Sequence, residues 1–199
     1  MKSSHAFLLF FGLVWAQLTI AAAVMTWGSP FVLLFITMFS IACAIFFVTT
    51  AFSMLFGAPF VPMDHDRVEE LLTVAGVKAG ERVADLGCGD GRIVVAAAKR
   101  GARAEGWEIS PYLWVWSQWN IWRAGVRNLA TVHLGSYWDV QFSDVDVITL
   151  FLVTTQMRRM EKKLRSELRI GSRVASYAFT FPDWKYREKS SRGIYLYVR

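Results

Sequence analysis

Val83-Ala84-Asp85-Leu86-Gly87-Cys88-Gly89-Asp90-Gly91 is the stretch on which the reading of this chain turns. An apolar run ends in an acid, glycines follow at alternate positions, and Arg92-Ile93 opens an apolar segment of helical period. That order predicts a strand, a tight turn and a helix. Glycine suits places where the backbone bends through conformations that side chains disfavour, and where a ligand must come within van der Waals contact. A helix beginning just after such a turn points unpaired N–H groups at whatever sits there. The next strand ends in Glu108, an acid placed to accept hydrogen bonds from two ribose hydroxyls.

Outward from this stretch, helical and extended patterns alternate. Asp64 or Asp66 caps a helix to about residue 75, which Gly76 ends. Residues 82–86 and 102–108 read as strands, with a helix over 92–100 between them. Ser110 and Pro111 open another helix, which stops before Gly125. Residues 130–134, 145–151 and 173–179 read as further strands, with a helix near 156–168. The alternation specifies an α/β fold: a Rossmann-like, mostly parallel sheet with helices on both faces. Only about 20 residues follow the last of these strands, and 194–198 supplies one antiparallel strand. The sheet is therefore expected to be abbreviated at its C-terminal end.

Charge divides the chain sharply. Lys2 is the only Lys, Arg, Asp or Glu before Asp64, so all 16 acids and all but one of the 22 Lys and Arg lie beyond that point. Residues 6–27 and 31–56 are apolar, parted by Gly28-Ser29-Pro30. About 20 helical residues span a hydrocarbon core of about 30 Å, so residues 1–56 are predicted to form a transmembrane helical hairpin. The rival is a signal peptide cleaved near Ala21-Ala22-Ala23, for which the apolar run is long. Residues 57–63 form a short connector and 64–199 the second domain. Seven residues reach at most about 25 Å, which holds that domain close to the bilayer. The basic flanks and the uncharged turn place both ends of the hairpin on the cytoplasmic face, that of a bacterial inner membrane. Cys43 and Cys88 indicate no disulfide framework.

The turn also discriminates between ligands. Dinucleotide sites use G-x-G-x-x-G, where a helix terminus meets a pyrophosphate. Here the spacing is G-x-G-x-G, with Asp85 before it and Asp90 inside it. Two carboxylates repel a pyrophosphate and attract a ligand carrying an ammonium and a sulfonium. S-adenosylmethionine is such a ligand, and it is the cofactor expected.

The stretch 85–91 with Glu108 resembles the first two motifs of the seven-stranded S-adenosylmethionine-dependent methyltransferases. Gly57-Ala58-Pro59-Phe60-Val61-Pro62, residues 85–93 and Glu108-Ile109-Ser110-Pro111 narrow the likeness, as does the aromatic helix ending Trp122-Arg123-Ala124-Gly125. Together they resemble the membrane-anchored lysine methyltransferases of the ATP synthase c-subunit and the adenine nucleotide translocase, with their bacterial relatives. Residues 146–152 and Phe181-Pro182-Asp183-Trp184 extend the resemblance, which covers about residues 57–185. It implies that Asp85, Gly87, Cys88, Gly89 and Gly91 line the methionine part of the cofactor. Glu108 would take the ribose, beside Ile109, with Ser136 and Tyr137 near the adenine. Ser136 stands where the family usually has an acid. The implied acceptor is a lysine of a membrane protein, and such a lysine must lose its proton before it can react. Asp90 is the first candidate to take that proton, ahead of Asp64, His65 and Asp66.

Other residues carry blander expectations. Val115, Trp119, Trp122 and Val126 recur at the spacing of a core face. Trp114 and Trp116 lie off that stripe, where indoles favour a membrane interface. Glu161 and Glu167 interrupt the basic run over 158–165, so a solvated face is expected and nucleic acid is not a partner. The histidines show no metal spacing, and Cys88 is a small turn residue. Three functions stay open: a protein-lysine methyltransferase, a methyltransferase for a lipid or quinone, and a non-catalytic S-adenosylmethionine-binding membrane module.

Overall fold

The computed structural model describes residues 15, 17–22, 29–56 and 60–199. The chain divides into two compact units, Met1–Ala51 and Phe52–Arg199.

In the larger unit, five strands run parallel, β1 (Arg82–Leu86), β2 (Arg103–Glu108), β3 (Ala130–Leu134), β4 (Val147–Leu150) and β5 (Arg173–Tyr177). A helix lies in each connection except that from β3 to β4, where only the 3-10 turn Tyr137–Asp139 intervenes. Two antiparallel strands complete the sheet, β6 (Glu188–Lys189) and β7 (Ile194–Val198). The order is β3-β2-β1-β4-β5-β7-β6. The expected abbreviation is thus corrected, since seven strands are present. The shortening falls on β6, which has two residues, and on residues 178–187, which hold neither helix nor strand.

The helices used below are α1 (Pro30–Phe56), α2 (His65–Val74), α3 (Arg92–Lys99), α4 (Pro111–Ala124) and α5 (Thr154–Glu167). The strands alternate their side chains between two apolar layers, as period 2 requires. Val83, Ala104 and Val147 meet α2, α3 and α4 through Leu71, Leu72, Val94, Ala97 and Ile121. Ala84, Ile148 and Val174 face the opposite layer with Met157, Met160 and Leu164 of α5. The sheet reverses its winding between β1 and β4, the place where open α/β sheets bind ligands at the carboxyl ends of their strands.

Local chemistry explains the boundaries. Asp64 caps α2, its carboxylate accepting from Arg67 N at 2.8 Å. Pro111 starts α4 and Gly125, left-handed at φ 69°, stops it.

The α4 stripe is a correction. Val115, Trp119 and Trp122 are exposed, and only Val126 packs against the core. The inward face is Trp114, Ser117, Gln118 and Ile121. Trp114 is packed there, its indole N–H donating to Val132 O at 2.9 Å. Ser117 is inward because α4 crosses the glycine turn too closely for anything large: a Cβ on Gly91 would lie 2.9 Å from that of Ser117. The basic face of α5 is exposed, as expected, at Arg158, Arg159, Lys162 and Arg165, and its exceptions are few. Glu161 is buried and accepts from Asp183 N at 3.0 Å, while Lys163 bonds Val140 O and Glu167.

Of the first predicted span, 6–27, only residues 15 and 17–22 are described, as helix. In the second, α1 has 27 residues and no charged side chain, with side chains described without a break over 30–45 only. The stretch 30–45 by itself rises about 24 Å against a core of about 30 Å. Among the described residues, no helix is long and apolar enough to cross a membrane, so the two-span hairpin is not supported by them. Thr37 Oγ1 bonds back to Leu33 O at 2.7 Å, which satisfies a hydroxyl within an apolar helix. Residues 57–59 of the connector lie outside the described residues.

Candidate active site

The turn after β1 is built from three left-handed glycines, Gly87 (φ 77°), Gly89 (φ 56°) and Gly91 (φ 76°). Any side chain at these positions would be strained. Gly87 N and Cys88 N both donate to Trp107 O, at 3.0 and 3.1 Å, which ties the turn to the end of β2. Glu108 closes it: one carboxylate oxygen accepts from Gly89 N at 2.9 Å, the other from Ser110 N at 2.8 Å. Burial raises the Glu108 pKa, and its backbone donors oppose that rise.

Asp85, at the end of β1, is only 2% exposed. Its Oδ1 accepts from the Thr149 hydroxyl at 2.8 Å, across the β1–β4 register pair. Its Oδ2 is buried and, among the described residues, has no partner. Burial pushes the pKa up to about 7; the Thr149 hydroxyl opposes the rise, and neighbouring Asp90 and Glu108 add to it. A buried carboxylate with one oxygen unmatched is costly unless a cation or donor joins it.

Asp90 is held differently. Arg92 Nε and an Arg92 terminal nitrogen reach its two oxygens at 2.9 and 2.6 Å, and Asn120 Nδ2 donates to its carbonyl at 2.9 Å. Arg92 also donates to Met63 O, so a single guanidinium joins the turn to the segment entering α2. As placed, Asp90 clamps the turn through its Arg92 pair. Asp64 is likewise engaged, as the α2 cap and in a 2.8 Å ion pair with Arg67.

The glycines also make room for protein atoms. A Cβ on Gly89 would lie 2.5 Å from the Phe60 ring, so that ring rests on the turn. On Gly87 it would meet Leu152 and the Tyr137 ring at an ordinary 3.8 Å. Gly106 in β2 leaves space for Cys88, whose sulfur would be 2.7 Å from a Cβ there. Burial raises the Cys88 thiol pKa well above its usual value, with Asp85 and Glu108 acting in the same sense. A thiol held protonated is a packing group and not a nucleophile.

Ser136 caps the 3-10 turn Tyr137–Asp139, accepting from Trp138 N at 3.2 Å, and its hydroxyl proton stays available to a ligand. Tyr137 donates to Gln156 Oε1 at 2.6 Å, and burial pushes its phenol up to about 12. Ile109 is half-buried between Glu108 and Ser110. The structure thus brings Asp85, the glycine turn, Glu108 and Tyr137 together. Sequence reasoning missed Phe60, Thr149, Leu152, Asn120, Ser117 and Gln156 as parts of this site. Thr149 becomes visible only once β4 is registered against β1. Phe60 was in view within the quoted connector motif, but not as a wall of the turn.

At the ends of β4 and β5 stand Phe151, Tyr177 and Phe179. Phe151 meets Tyr177 edge-on at 4.7 Å and stacks with Phe179 at 6.3 Å. Among the described residues, no group of three His, Cys, Asp or Glu is placed to hold a metal ion.

An unmatched buried carboxylate oxygen beside two further acids, at a turn opening onto a helix N-terminus, fits a cationic ligand that also carries a ribose. S-adenosylmethionine meets both requirements. The fold and site are of the kind found in the S-adenosylmethionine-dependent methyltransferases. An RNA methyltransferase from Salinibacter ruber, solved with S-adenosyl-L-homocysteine, superposes with a TM-score of 0.67 at 30% identity, covering 69% of this chain and 93% of that one.

Residues 85–188 match the ANTKMT methyltransferase domain, and the chain belongs to that family. It is 40% identical over 136 residues to the ATP synthase c-subunit lysine N-methyltransferase of Mus musculus, across 68% of this chain but 55% of that protein. With a protein-lysine N-methyltransferase of Saccharolobus islandicus (strain REY15A) it shares 35% identity over 149 residues, 70% of this chain and 92% of that protein. The chain therefore spans little more than half the length of the mouse relative.

Proposed function

We propose that this chain is a membrane-anchored protein-lysine N-methyltransferase whose acceptor is a lysine of an integral membrane protein, just outside the hydrocarbon on the cytoplasmic side. The observation that carries its cofactor chemistry is the unmatched Asp85 Oδ2 beside the Glu108-closed turn. The lysine acceptor rests on the relatives, whose names specify lysine methylation. The anchor rests on the charge-free stretch before Asp64 and on α1, whose Phe31, Leu34, Phe35, Met38 and Phe39 are all exposed. A helix apolar on every described side suits hydrocarbon better than water. The basic flanks favour the cytoplasmic face, that of a bacterial inner membrane.

S-adenosylmethionine, when bound, supplies a methyl group on a sulfonium. The chain's part is to orient the acceptor nitrogen in line with the S–CH₃ bond, at about 3–3.5 Å, and to exclude water. As the C–N bond forms, the C–S bond breaks and its electron pair stays on sulfur. A lysine must arrive neutral, against a usual pKa of about 10.4. The Phe60 ring and the aromatic rim of Phe151, Tyr177 and Phe179 supply the desolvation that lowers it.

Mass spectrometry of native membranes, with and without the active enzyme, tests this reading. A lysine of a membrane protein should gain multiples of a methyl mass only with the enzyme. If a lipid or quinone gains the methyl instead, the small-molecule reading replaces it. If nothing gains a methyl while the cofactor still binds, the chain is a non-catalytic binding module.

A further inference from the structure

The face of α4 that the sequence pattern assigned to the core is on the outside. Val115 (59% exposed), Trp116 (49%), Trp119 (54%) and Trp122 (50%) follow one another at helical spacing on that surface. The Trp119 and Trp122 rings lie 4.7 Å apart, and Tyr112 and Trp116 6.2 Å apart. Three half-exposed indoles on one helix leave much apolar area in water, which is a cost unless something covers them. Along the chain, the charge around them has one sign. Residues 109–138 contain no Asp or Glu, and Arg123 and Arg127 stand at the C-terminal end of α4.

We propose that this aromatic face of α4 lies flat in the interfacial layer of an anionic lipid bilayer. Indole and phenol rings favour the headgroup level, where their apolar bodies are buried and their polar atoms stay wet. An in-plane helix of this kind sinks its apolar side about 5–10 Å, with cationic side chains towards the lipid charge. Arg123 and Arg127, with no acid nearby in sequence, supply that complementarity. A protein partner fits less well, because the rings pair with one another along the helix instead of standing apart as anchors for separate pockets. The proposal deepens the membrane reading above without requiring residues 1–56 to span. It gives α4, which crosses directly over the glycine turn through Ser117, the role of setting the site's height above the lipid.

The test uses the full chain in vesicles of mixed phosphatidylglycerol and phosphatidylcholine. The replacements Trp116→Phe, Trp119→Phe and Trp122→Phe, made together, keep the face apolar and remove its indole emission. The difference between wild-type and variant fluorescence is therefore the signal of this face alone. That signal should shift to the blue on reconstitution. It should be quenched by lipids brominated near the headgroup, less by lipids brominated near the chain ends, and be protected from aqueous acrylamide. High salt, or phosphatidylcholine alone in place of the anionic mixture, should weaken the quenching. Free access of acrylamide with no bromolipid quenching would overturn the proposal. Protection from both quenchers would also overturn it, because a protein would then cover the face. Carbonate-resistant flotation of the variant reads the anchor separately. If flotation fails, the anchor reading falls, while quenching by added anionic vesicles still decides the α4 proposal.

Discussion

The ends of β1 and β2 lie side by side and each closes on a buried acid, yet the two acids are held in opposite ways. Glu108 has a backbone N–H on each oxygen, from Gly89 and Ser110. Asp85 has the Thr149 hydroxyl on one oxygen and, among the described residues, nothing on the other. Glu108 therefore builds the turn whether or not a ligand is present, whereas Asp85 is matched only by a cation arriving from outside. One acid serves fold and binding together; the other serves binding at the expense of the fold.

The largest effect is expected at Glu108. Glu108→Ala leaves two buried N–H groups without an acceptor, at about 1–3 kcal/mol each, and removes the charge-assisted ribose bonds. S-adenosylmethionine affinity should fall about 10- to 150-fold, corresponding to roughly 1.5–3 kcal/mol, and the melting temperature should fall with it. Calorimetry and thermal unfolding on the same preparation check both. A variant that melts like wild type would break the contrast with Asp85.

A middle-sized effect concerns pH. The folded chain keeps the Asp85 proton up to about pH 7, while the unfolded chain releases it in the ordinary carboxylate range. Between those limits the native state binds more protons, so Asp85's contribution to stability falls as pH rises and levels off above about 7. Cofactor affinity should move the other way over the same window, because a bound cation favours the ionised carboxylate. Melting and titration across that window test the pair of slopes, and slopes of the same sign would contradict the assignment of Asp85.

The smallest effect sharpens the picture at the turn itself. Phe60 lies on Gly89, where an aromatic face is placed to meet a sulfonium. Phe60→Leu should weaken S-adenosylmethionine by about 0.5–2 kcal/mol more than S-adenosylhomocysteine, whose sulfur carries no charge. Equal losses for both ligands would make the ring a wall and nothing more.

What the sequence made legible were features decided locally. Three glycines at alternate positions dictated the turn, Pro111 and Gly125 the limits of α4, and alternating periods the parallel sheet. What it hid depended on how close two elements approach. The α4 pattern was misread because large aromatics look like core, whereas the crossing at Gly91 demanded Ser117. Thr149 could not be matched to Asp85 before β4 was registered against β1. The two-residue β6 left no period to detect, so the sheet looked shorter than it is. The structural part of Asp90 was hidden because its clamp, Arg92, folds back from two positions on and its other tie, Asn120, lies in another helix.

The most direct measurement is titration calorimetry of S-adenosylmethionine against wild type and Asp85→Asn, above the Asp85 transition, with a melting curve of each unliganded protein. The account predicts that the variant melts at or above the wild-type temperature and binds the cofactor at least about tenfold more weakly, the worth of a charge-assisted contact. A variant that loses stability but binds as wild type does would contradict it, because Asp85 would then hold the fold and the cofactor would be recognised elsewhere.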